Sequence, residues 1–376
     1  MFLIHGILVS SWLSRIPAVQ RDLALSSSVL GFALLGAAVG AFTAIMAIPP
    51  LLIRFGSARV TTWSSFGLCA VLPLPALARG PVSLAAVLLA YGSLAGAMDV
   101  AMNTQAVDVE RAYRRPVMVA FHALFSFGGM MGAALGGLAA ARGLAPLPHL
   151  VMAAATMAVA VAFATRNLLP EDAEAPSAPK FSLSAMRPLL AIGLVAFCIL
   201  FGEGAISDWG AVYLTQYTGQ GAAAVGYAVF SLTMASGRLA GDWLRVRLGS
   251  VNLVRLGGGL AAAGLGAGLL VGGVGATLVG YACAGAGFST IFPITLSAGG
   301  HRAGVGSQTG VAAVTAFGYV AFLAGPPVIG ILADLVTLRG ALFVTVVLSL
   351  VAAALAGSVR DADAEMGMKT AAEHGH

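Results

Sequence analysis

Long apolar runs, separated by short polar clusters, make up most of the chain. Each run is close to the ~20 residues that an α-helix needs to cross a ~30 Å hydrocarbon core. The clusters contain Arg, Asp, Pro or Gly, as expected at helix ends and connections. We place twelve spans at 2–19, 28–48, 59–78, 82–107, 117–141, 147–165, 188–214, 222–243, 252–273, 276–298, 305–333 and 338–357. The pattern predicts an all-α membrane protein with twelve transmembrane helices.

Composition excludes a water-soluble globular fold. Of 376 residues, 59% are hydrophobic and 9% are charged, whereas soluble proteins have about 25% charged residues. The three cysteines, Cys69, Cys198 and Cys283, lie in apolar runs and predict neither a disulfide nor a metal site. The net charge of +5 comes from arginines in connecting segments, so it indicates topology and not nucleic-acid binding.

The distribution of basic residues sets the orientation. If both termini are cytoplasmic, fifteen Lys and Arg residues fall in cytoplasmic segments and five in outer segments. This positive-inside bias predicts a multi-pass protein of the bacterial inner membrane with both termini inside. The first span starts at Met1 without a preceding basic segment and carries Arg15 near its end. These features leave open a start upstream of Met1.

One long polar segment divides the spans six and six. We predict a first half at 1–165, a cytoplasmic linker at 166–187, a second half at 188–358 and a disordered cytoplasmic tail at 359–376. Span two is followed by Arg54-Phe-Gly-Ser, and span eight by Arg247-Leu-Gly-Ser. These matching segments suggest a duplicated six-helix unit, as in many secondary transporters.

Asp99 is the most informative polar residue. A carboxylate within the bilayer interior costs at least ~2.5 kcal/mol, so it normally faces a cavity or a partner. Asn103 lies one turn further along the same helix face, and the two side chains could bind neighbouring hydroxyl groups. His122 lies at a similar depth in span five, so we expect it to share a proton with Asp99. A bridging hydrogen bond between helices is the alternative for His122.

Further polar and aromatic residues lie in the second half. Glu203 and Ser207 share a face of span seven, and we assign Glu203 to proton coupling or an outer gate and Ser207 to substrate binding. Asp208 lies nearer the outer end, where pairing with Arg15 is an alternative to function. Further candidates for lining the substrate site are Trp12, Phe121, Phe125, Phe292, Gln308 and Tyr319, although most aromatics in such bundles serve packing.

The segment Gly237-Arg238-x-x-Gly241-Asp242-x-x-Arg245-x-Arg247-x-Gly249 resembles the signature loop of the major facilitator superfamily. The resemblance extends across essentially the whole chain. It implies two pseudo-symmetric six-helix halves and transport by alternating access. It also implies a cytoplasmic latch formed by Gly237, Arg238, Gly241, Asp242, Arg245 and Arg247. An incidental acid among membrane anchors is the alternative, and the first-half copy has Pro49 and Pro50 in place of the Gly-Asp.

Within that superfamily, the chain is more similar to the fucose–proton symporter branch and its rhizopine-transport-protein-like relatives. Helix four of the branch carries a Gly, an acid and an Asn, matched by Gly96, Asp99 and Asn103. Helix ten carries Ser-x-x-Phe-Pro, matched by the segment 289–293, and helix seven carries an acid, matched by Glu203 or Asp208. The branch also has an acid in helix one, which this chain lacks.

These observations favour a proton-coupled transporter of a sugar, polyol or similar solute. A drug/proton antiporter is the alternative, because Gly128, Gly132, Gly136 and Gly137 resemble the antiporter motif of helix five, although Ala133 replaces its Pro. An enzyme is disfavoured because the chain has neither an HExxH motif nor a Cys/His cluster. We expect a monomer with a small-molecule substrate, a surrounding lipid bilayer, no metal or cofactor, and the proton as coupling ion. Substrate identity and transport direction stay open.

Overall fold

The computed structural model describes residues 1–113, 118–169, 187–302 and 307–363, and all of its regular structure there is helical. Most of the predicted linker, at 170–186, lies outside these ranges. The last part of the predicted tail, at 364–376, also lies outside them. The all-α prediction is confirmed.

Seven α-helices lie in the described part of the first half. They are α1 (Phe2–Leu13), α2 (Ile16–Asp22), α3 (Ser27–Phe55), α4 (Ser57–Val71), α5 (Pro81–Tyr113), α6 (Met118–Ala141) and α7 (Pro146–Ala164). The second half contains α8 (Leu190–Leu214), α9 (Gln220–Ala223), α10 (Val225–Leu248), α11 (Ser250–Val271), α12 (Gly273–Phe288), α13 (Ile291–Gly300), α14 (Ser307–Leu335) and α15 (Leu338–Ala354). Short 3₁₀ segments lie at Leu74–Leu77, Thr165–Asn167, Arg187–Leu189 and Leu355–Asp363.

Within the described residues, eleven helical stretches are long and apolar enough to cross a membrane. The eighth predicted span corresponds to α10, which is not one of the eleven. Four charged residues near the end of α10, at 238, 242, 245 and 247, account for its lower hydropathy. The twelve predicted spans thus each correspond to a helix or a pair of consecutive helices.

The first predicted span, 2–19, is two helices and not one. The chain leaves α1 at Ser14, and Arg15 precedes the start of α2 at Ile16. Pro17 has no backbone N–H and its ring crowds the preceding turn, so a continuous helix is disfavoured here. The break places Arg15 inside the first half.

The two Arg-x-Gly-Ser segments have the same backbone conformation. Gly56 has φ of 90° and ends α3, and Gly249 has φ of 74° and ends α10. In both cases the following serine, Ser57 or Ser250, starts the next helix. A positive φ is readily adopted only by glycine. Glycine at this place in both halves supports the predicted duplication.

The halves meet along two helix pairs, because α3 packs on α14 and α6 packs on α10. We call the end of the bundle that carries Met1 and residues 169 and 187 the linker end, and the opposite end the far end. At the far end, a Cβ on Gly31 would collide with the carbonyl oxygen of Pro326. A Cβ on Gly330 would similarly collide with the carbonyl oxygen of Ser27. Backbone therefore lies directly on backbone between the halves at the far end.

The predicted disordered tail begins too early at 359. Residues 355–363 form a 3₁₀ helix in which Val359 and Ala362 are buried. Arg302 binds Asp361 at 2.8 Å, and the backbone N–H of Ser250 donates to Asp363 at 2.9 Å. These contacts fix a segment whose composition alone suggested a solvated tail.

Candidate functional site

A central cavity of about 320 Å³ lies between the halves. Its walls come from α1, α3, α5 and α6 of the first half and from α8, α10 and α14 of the second half. Pro326, which meets Gly31, is part of the lining, so the far-end contact closes the cavity on that side. The volume lies at the lower end of the ~300–1,000 Å³ typical of small-molecule sites.

Asp99 lies in the wall of this cavity, as expected of a membrane-embedded carboxylate. The amide nitrogen of Asn103 donates to Asp99 Oδ1 at 3.2 Å and to its backbone oxygen at 2.8 Å. Asn103 is not among the described residues that line the cavity. Its side chain therefore orients Asp99, whereas the sequence suggested direct contact with substrate.

Glu203 also lines the cavity and lies near a cation. Arg238 Nη2 is 4.0 Å from Glu203 Oε1, and Arg238 Nη1 donates to Ser126 Oγ at 3.0 Å. Ser126 belongs to the first half, whereas Glu203 and Arg238 belong to the second. The arginine predicted for the latch thus extends into the region between the halves. Ser207 lines the cavity too, and its hydroxyl donates to the backbone oxygen of Glu203 at 2.8 Å.

A second cavity, of about 360 Å³, lies between α6, α10 and α13 towards the linker end. His122 and Arg238 are part of its lining. His122 packs edge-on against Phe2, with ring centroids 5.4 Å apart, and no hydrogen bond joins it to Asp99 in the described structure. The predicted Asp99–His122 pair is therefore separated, because equal depth does not set the direction in which each side chain points.

Asp208 lines the central cavity and makes no hydrogen bond or ion pair in the described part of the chain. The alternative of an Asp208–Arg15 pair is wrong. Arg15 Nε donates to His149 Nδ1 at 3.0 Å, and Arg15 Nη2 donates to the backbone oxygen of Leu144 at 3.1 Å. The guanidinium is held within the first half, which leaves the carboxyl of Asp208 facing the cavity.

Two cavity residues were missed by the sequence analysis. His5 is 5% exposed, and neither ring nitrogen has a hydrogen-bond partner among the described residues. Tyr91 is 4% exposed, and its hydroxyl also lacks a partner in that part of the chain. Both line the central cavity. A buried polar group without a partner costs about 1–3 kcal/mol, so such groups require an explanation.

The aromatic candidates divide between several environments. Phe125 and Tyr319 line the central cavity, and Phe292 lines the second cavity. Phe121 stacks on Phe2 with centroids 5.4 Å apart, so it serves packing within the first half. The side chain of Gln308 lies outside the described residues. Trp12 lines the central cavity.

The predicted latch has different partners from those expected. Arg245 bonds to Ser250 Oγ at 2.9 Å and to Ser297 Oγ at 3.2 Å, and it also pairs with Asp363. Arg247 lies over the ring of Trp243, 4.3 Å from its centroid. Asp242 is exposed at the second cavity. An Asp242–Arg pair is thus replaced in this conformation by contacts with the C-terminal segment.

The glycines of the signature segment allow close helix packing. A Cβ on Gly237 would collide with Ser289 Oγ, and a Cβ on Gly241 would lie 3.1 Å from Thr290 Cγ2. The glycines that resemble the antiporter motif serve helix packing. Cβ atoms on Gly128 or Gly132 would collide with α1, and one on Gly136 would collide with Ser14 immediately after α1. A Cβ on Gly137 would collide with the backbone oxygen of Gly221 in the second half. Close contact of α6 with its neighbours thus accounts for these four glycines.

Comparison with known proteins gives one consistent result. The sequence profile of the Major Facilitator Superfamily matches residues 1–316. An uncharacterized MFS-type transporter of Yersinia pestis is 35% identical over 363 residues, covering 95% of this chain and 94% of the relative. The membrane protein MosC of Rhizobium meliloti is 30% identical over 361 residues, covering 94% of this chain and 87% of the relative.

Solved structures with low sequence identity have the same fold. The nucleoside transporter NupG superposes with a TM-score of 0.71 at 16% identity, covering 98% of this chain and 96% of that one. A bacterial homolog of the human lysosomal transporter Spinster gives a TM-score of 0.75 at 15% identity, covering 95% and 94%. At these identities the similarity extends to the fold alone.

Proposed function

The chain belongs to the major facilitator superfamily, and we propose that it is a proton-coupled transporter of a small polyhydroxylated solute, with Asp99 as the coupling carboxyl. Members of the superfamily are membrane transporters and not enzymes. The solute class and the coupling ion are the parts that we propose. We also propose a bacterial inner membrane as the location, with the linker end cytoplasmic because of the positive-inside bias.

The position of Asp99 in the cavity wall carries this proposal. The described residues that line the cavity include Asp99 but neither Arg nor Lys. The closest polar partner of Asp99 is the amide of Asn103, which carries no charge. Burying a carboxylate without a counter-charge is unfavourable, whereas a neutral carboxyl is far less costly to bury. Closing the cavity around Asp99 therefore favours a bound proton.

Proton and solute binding are then coupled through one side chain. A protonated Asp99 donates a hydrogen bond as well as accepting one, so it binds a solute hydroxyl better than a carboxylate that only accepts. When the cavity opens towards the linker end, water stabilises the ionised form and the proton leaves. Alternating access then links solute movement to proton movement.

The antiporter alternative has less support from the structure. The glycines that suggested it are accounted for by close packing of α6 against neighbouring segments. The two functions differ in the sign of coupling, since an antiporter exchanges solute for protons whereas a symporter moves both together. Transport measurements therefore separate them directly.

The test uses purified protein in liposomes. A thermal-unfolding screen against sugars, polyols, amino acids and cationic drugs first identifies a ligand, because a ligand that binds the folded state raises its apparent stability. Uptake of that ligand is then measured with an inward proton gradient and, separately, by exchange without a gradient. We expect Asp99→Asn to retain exchange and lose uphill accumulation, because Asn imitates the neutral carboxyl.

Asp22→Asn is the matched control. Asp22 is an exposed far-end acid that pairs with the adjacent Arg21 at 3.1 Å, so its loss should leave both activities unchanged. Uphill accumulation by Asp99→Asn would exclude Asp99 as the coupling residue and make Glu203 the next candidate. Solute accumulation driven by an outward proton gradient would instead favour the antiporter.

A further inference from the structure

Two side chains in the wall of the central cavity differ from its other polar groups. Glu203 has Arg238 at 4.0 Å, and the hydroxyl of Ser207 donates to the backbone oxygen of Glu203 at 2.8 Å. His5 and Tyr91 are buried, but both ring nitrogens of His5 and the hydroxyl of Tyr91 lack a partner among the described residues. The wall therefore presents three polar atoms that the protein itself does not pair.

The two side chains lie on different helices of the first half and at different levels of the cavity. His5 is in the first turn of α1, towards the linker end, and its ring lies 5.4 Å from that of Phe125. Tyr91 is on α5, eight residues before Asp99. That spacing places Tyr91 about 12 Å from Asp99 along the helix axis, towards the far end. Polar atoms at separate levels of one cavity restrict how a solute can lie in it.

These unpaired groups destabilise the folded protein. A buried donor or acceptor without a partner loses its hydrogen bonds to water on folding and gains none in return. Removing the polar atoms should therefore raise the stability of the ligand-free protein. Groups that lower stability in this way are rare in folded proteins and are expected at functional sites, where a ligand supplies the missing hydrogen bonds.

We propose that His5 and Tyr91 are solute-binding residues, and that polar groups of the transported solute complete their hydrogen bonds. They extend the site of the proposed function, on which this assignment rests. A neutral imidazole has one donor and one acceptor, and a phenol oxygen can serve as either. Both residues belong to the first half, which moves largely as a rigid body in alternating access. The first half therefore contacts the solute at two levels, whichever end of the bundle is open.

Tyr91→Phe tests this role with a minimal change, because it removes one hydroxyl and keeps the ring. Thermal unfolding of the full chain in detergent is measured alone and with D-glucose, D-xylose, xylitol or myo-inositol. Calorimetry then gives the affinity for the solute that most stabilises the wild-type protein. We expect the ligand-free midpoint to rise by roughly 1–3 °C. Solute binding should weaken by about tenfold, equivalent to ~1.4 kcal/mol. A packing role alone would not change stability and affinity in opposite directions.

Variants of His5 test the second residue. His5→Leu removes both ring nitrogens and should weaken binding of the same solute by about tenfold or more. His5→Asn retains a donor and an acceptor, so it should recover part of the affinity. It also serves as the second variant if the Leu protein is unstable.

Two substitutions outside the cavity are matched controls. Tyr281 is buried, and its hydroxyl donates to the backbone oxygen of Gly210 at 3.2 Å. Tyr281→Phe should therefore lower the midpoint and leave solute affinity unchanged. Thr345 is buried with a hydroxyl that is unpaired in the described structure, but it is not among the described residues that line the cavity. Thr345→Val should raise the midpoint and also leave affinity unchanged.

Several outcomes would overturn the assignment. A lower ligand-free midpoint for Tyr91→Phe would mean that its hydroxyl already has a partner in the folded protein. Unchanged affinity in Tyr91→Phe or in His5→Leu would remove that residue from the site, and proton-driven uptake that depends on Asp99 would still stand. A wild-type protein that none of the four solutes stabilises would contradict both proposals. Conversely, weakened binding in both variants, combined with uptake that is independent of the proton gradient, would keep these residues and remove the coupling.

Discussion

The carboxylate of Asp334 accepts the backbone N–H of Ser28 at 2.8 Å, across the boundary between the two halves. Its other oxygen accepts the N–H of Ser27 at 3.0 Å. Both donors lie in the first turn of α3, whose N–H groups have no partners within the helix. The positive end of the helix dipole also favours an acid at this position. A side chain of the second half thus caps a helix of the first half at the far end.

Asp334→Ala should therefore open the far end more often. The substitution removes both interactions between the halves and leaves the two N–H groups to water. Spin labels at positions 79 and 217, one in each half at the far end, report the separation in protein whose three native cysteines have been replaced. We expect the long-distance population to increase by severalfold.

Asp22→Ala provides the control for this measurement. Asp22 is at the same end and is similarly exposed, but within the described structure it pairs only with the adjacent Arg21. The distance distribution should be unchanged in this variant. An unchanged distribution in Asp334→Ala as well would mean that glycine packing alone holds the far end closed.

The Arg238–Glu203 contact should behave as a coupled pair. Arg238→Met removes the cation and leaves Glu203 facing the cavity, so we expect a loss of about 1–2 kcal/mol, between the values for exposed and fully buried pairs. Glu203→Gln in the same protein should restore part of that stability, because it removes the uncompensated charge. Thermal unfolding of the two single variants and the double variant measures the coupling.

Arg247→Met is the control for the arginine substitution. Arg247 lies over the exposed ring of Trp243 and contacts no carboxylate among the described residues. Its replacement should change stability little, and Glu203→Gln should not rescue it. Additive effects of Arg238→Met and Glu203→Gln would show that the 4.0 Å contact is energetically unimportant.

Two truncations should differ sharply. A chain ending at Asp363 keeps the carboxylates that bind Arg245, Ser250 and Arg302, and should unfold at the wild-type temperature. A chain ending at Ala354 loses these contacts and the buried Val359, and should unfold at a clearly lower temperature. Equal stability of the two chains would mean that the C-terminal 3₁₀ segment contributes nothing to the folded state.

Much of the fold and a minority of the site could be predicted from the sequence. Long apolar runs predict helices because, within lipid, every backbone N–H and C=O group needs a hydrogen-bond partner inside the protein. Asp99 was recognisable as a cavity residue because a charged side chain is costly to place in lipid. His5, an ionisable residue within the first predicted span, carried a similar signal that was overlooked. Tyr91 carried none, because a tyrosine also occurs where a helix meets the membrane surface. The separation of Asp99 from His122 depends on helix rotation, which hydropathy does not determine.

The two ends of the bundle should respond differently to temperature. Gly31 and Gly330 have no rotamers to lose, so closing the far end through them requires no side-chain ordering. The contact between the halves nearer the linker end joins Arg238 to Ser126, and ordering an arginine costs up to about 2 kcal/mol of side-chain entropy. That entropic cost increases with absolute temperature, whereas the backbone contact carries almost none of it. Cooling should therefore strengthen the arginine contact relative to the glycine contacts. The population open at the far end, relative to the population open at the linker end, should then depend on growth temperature.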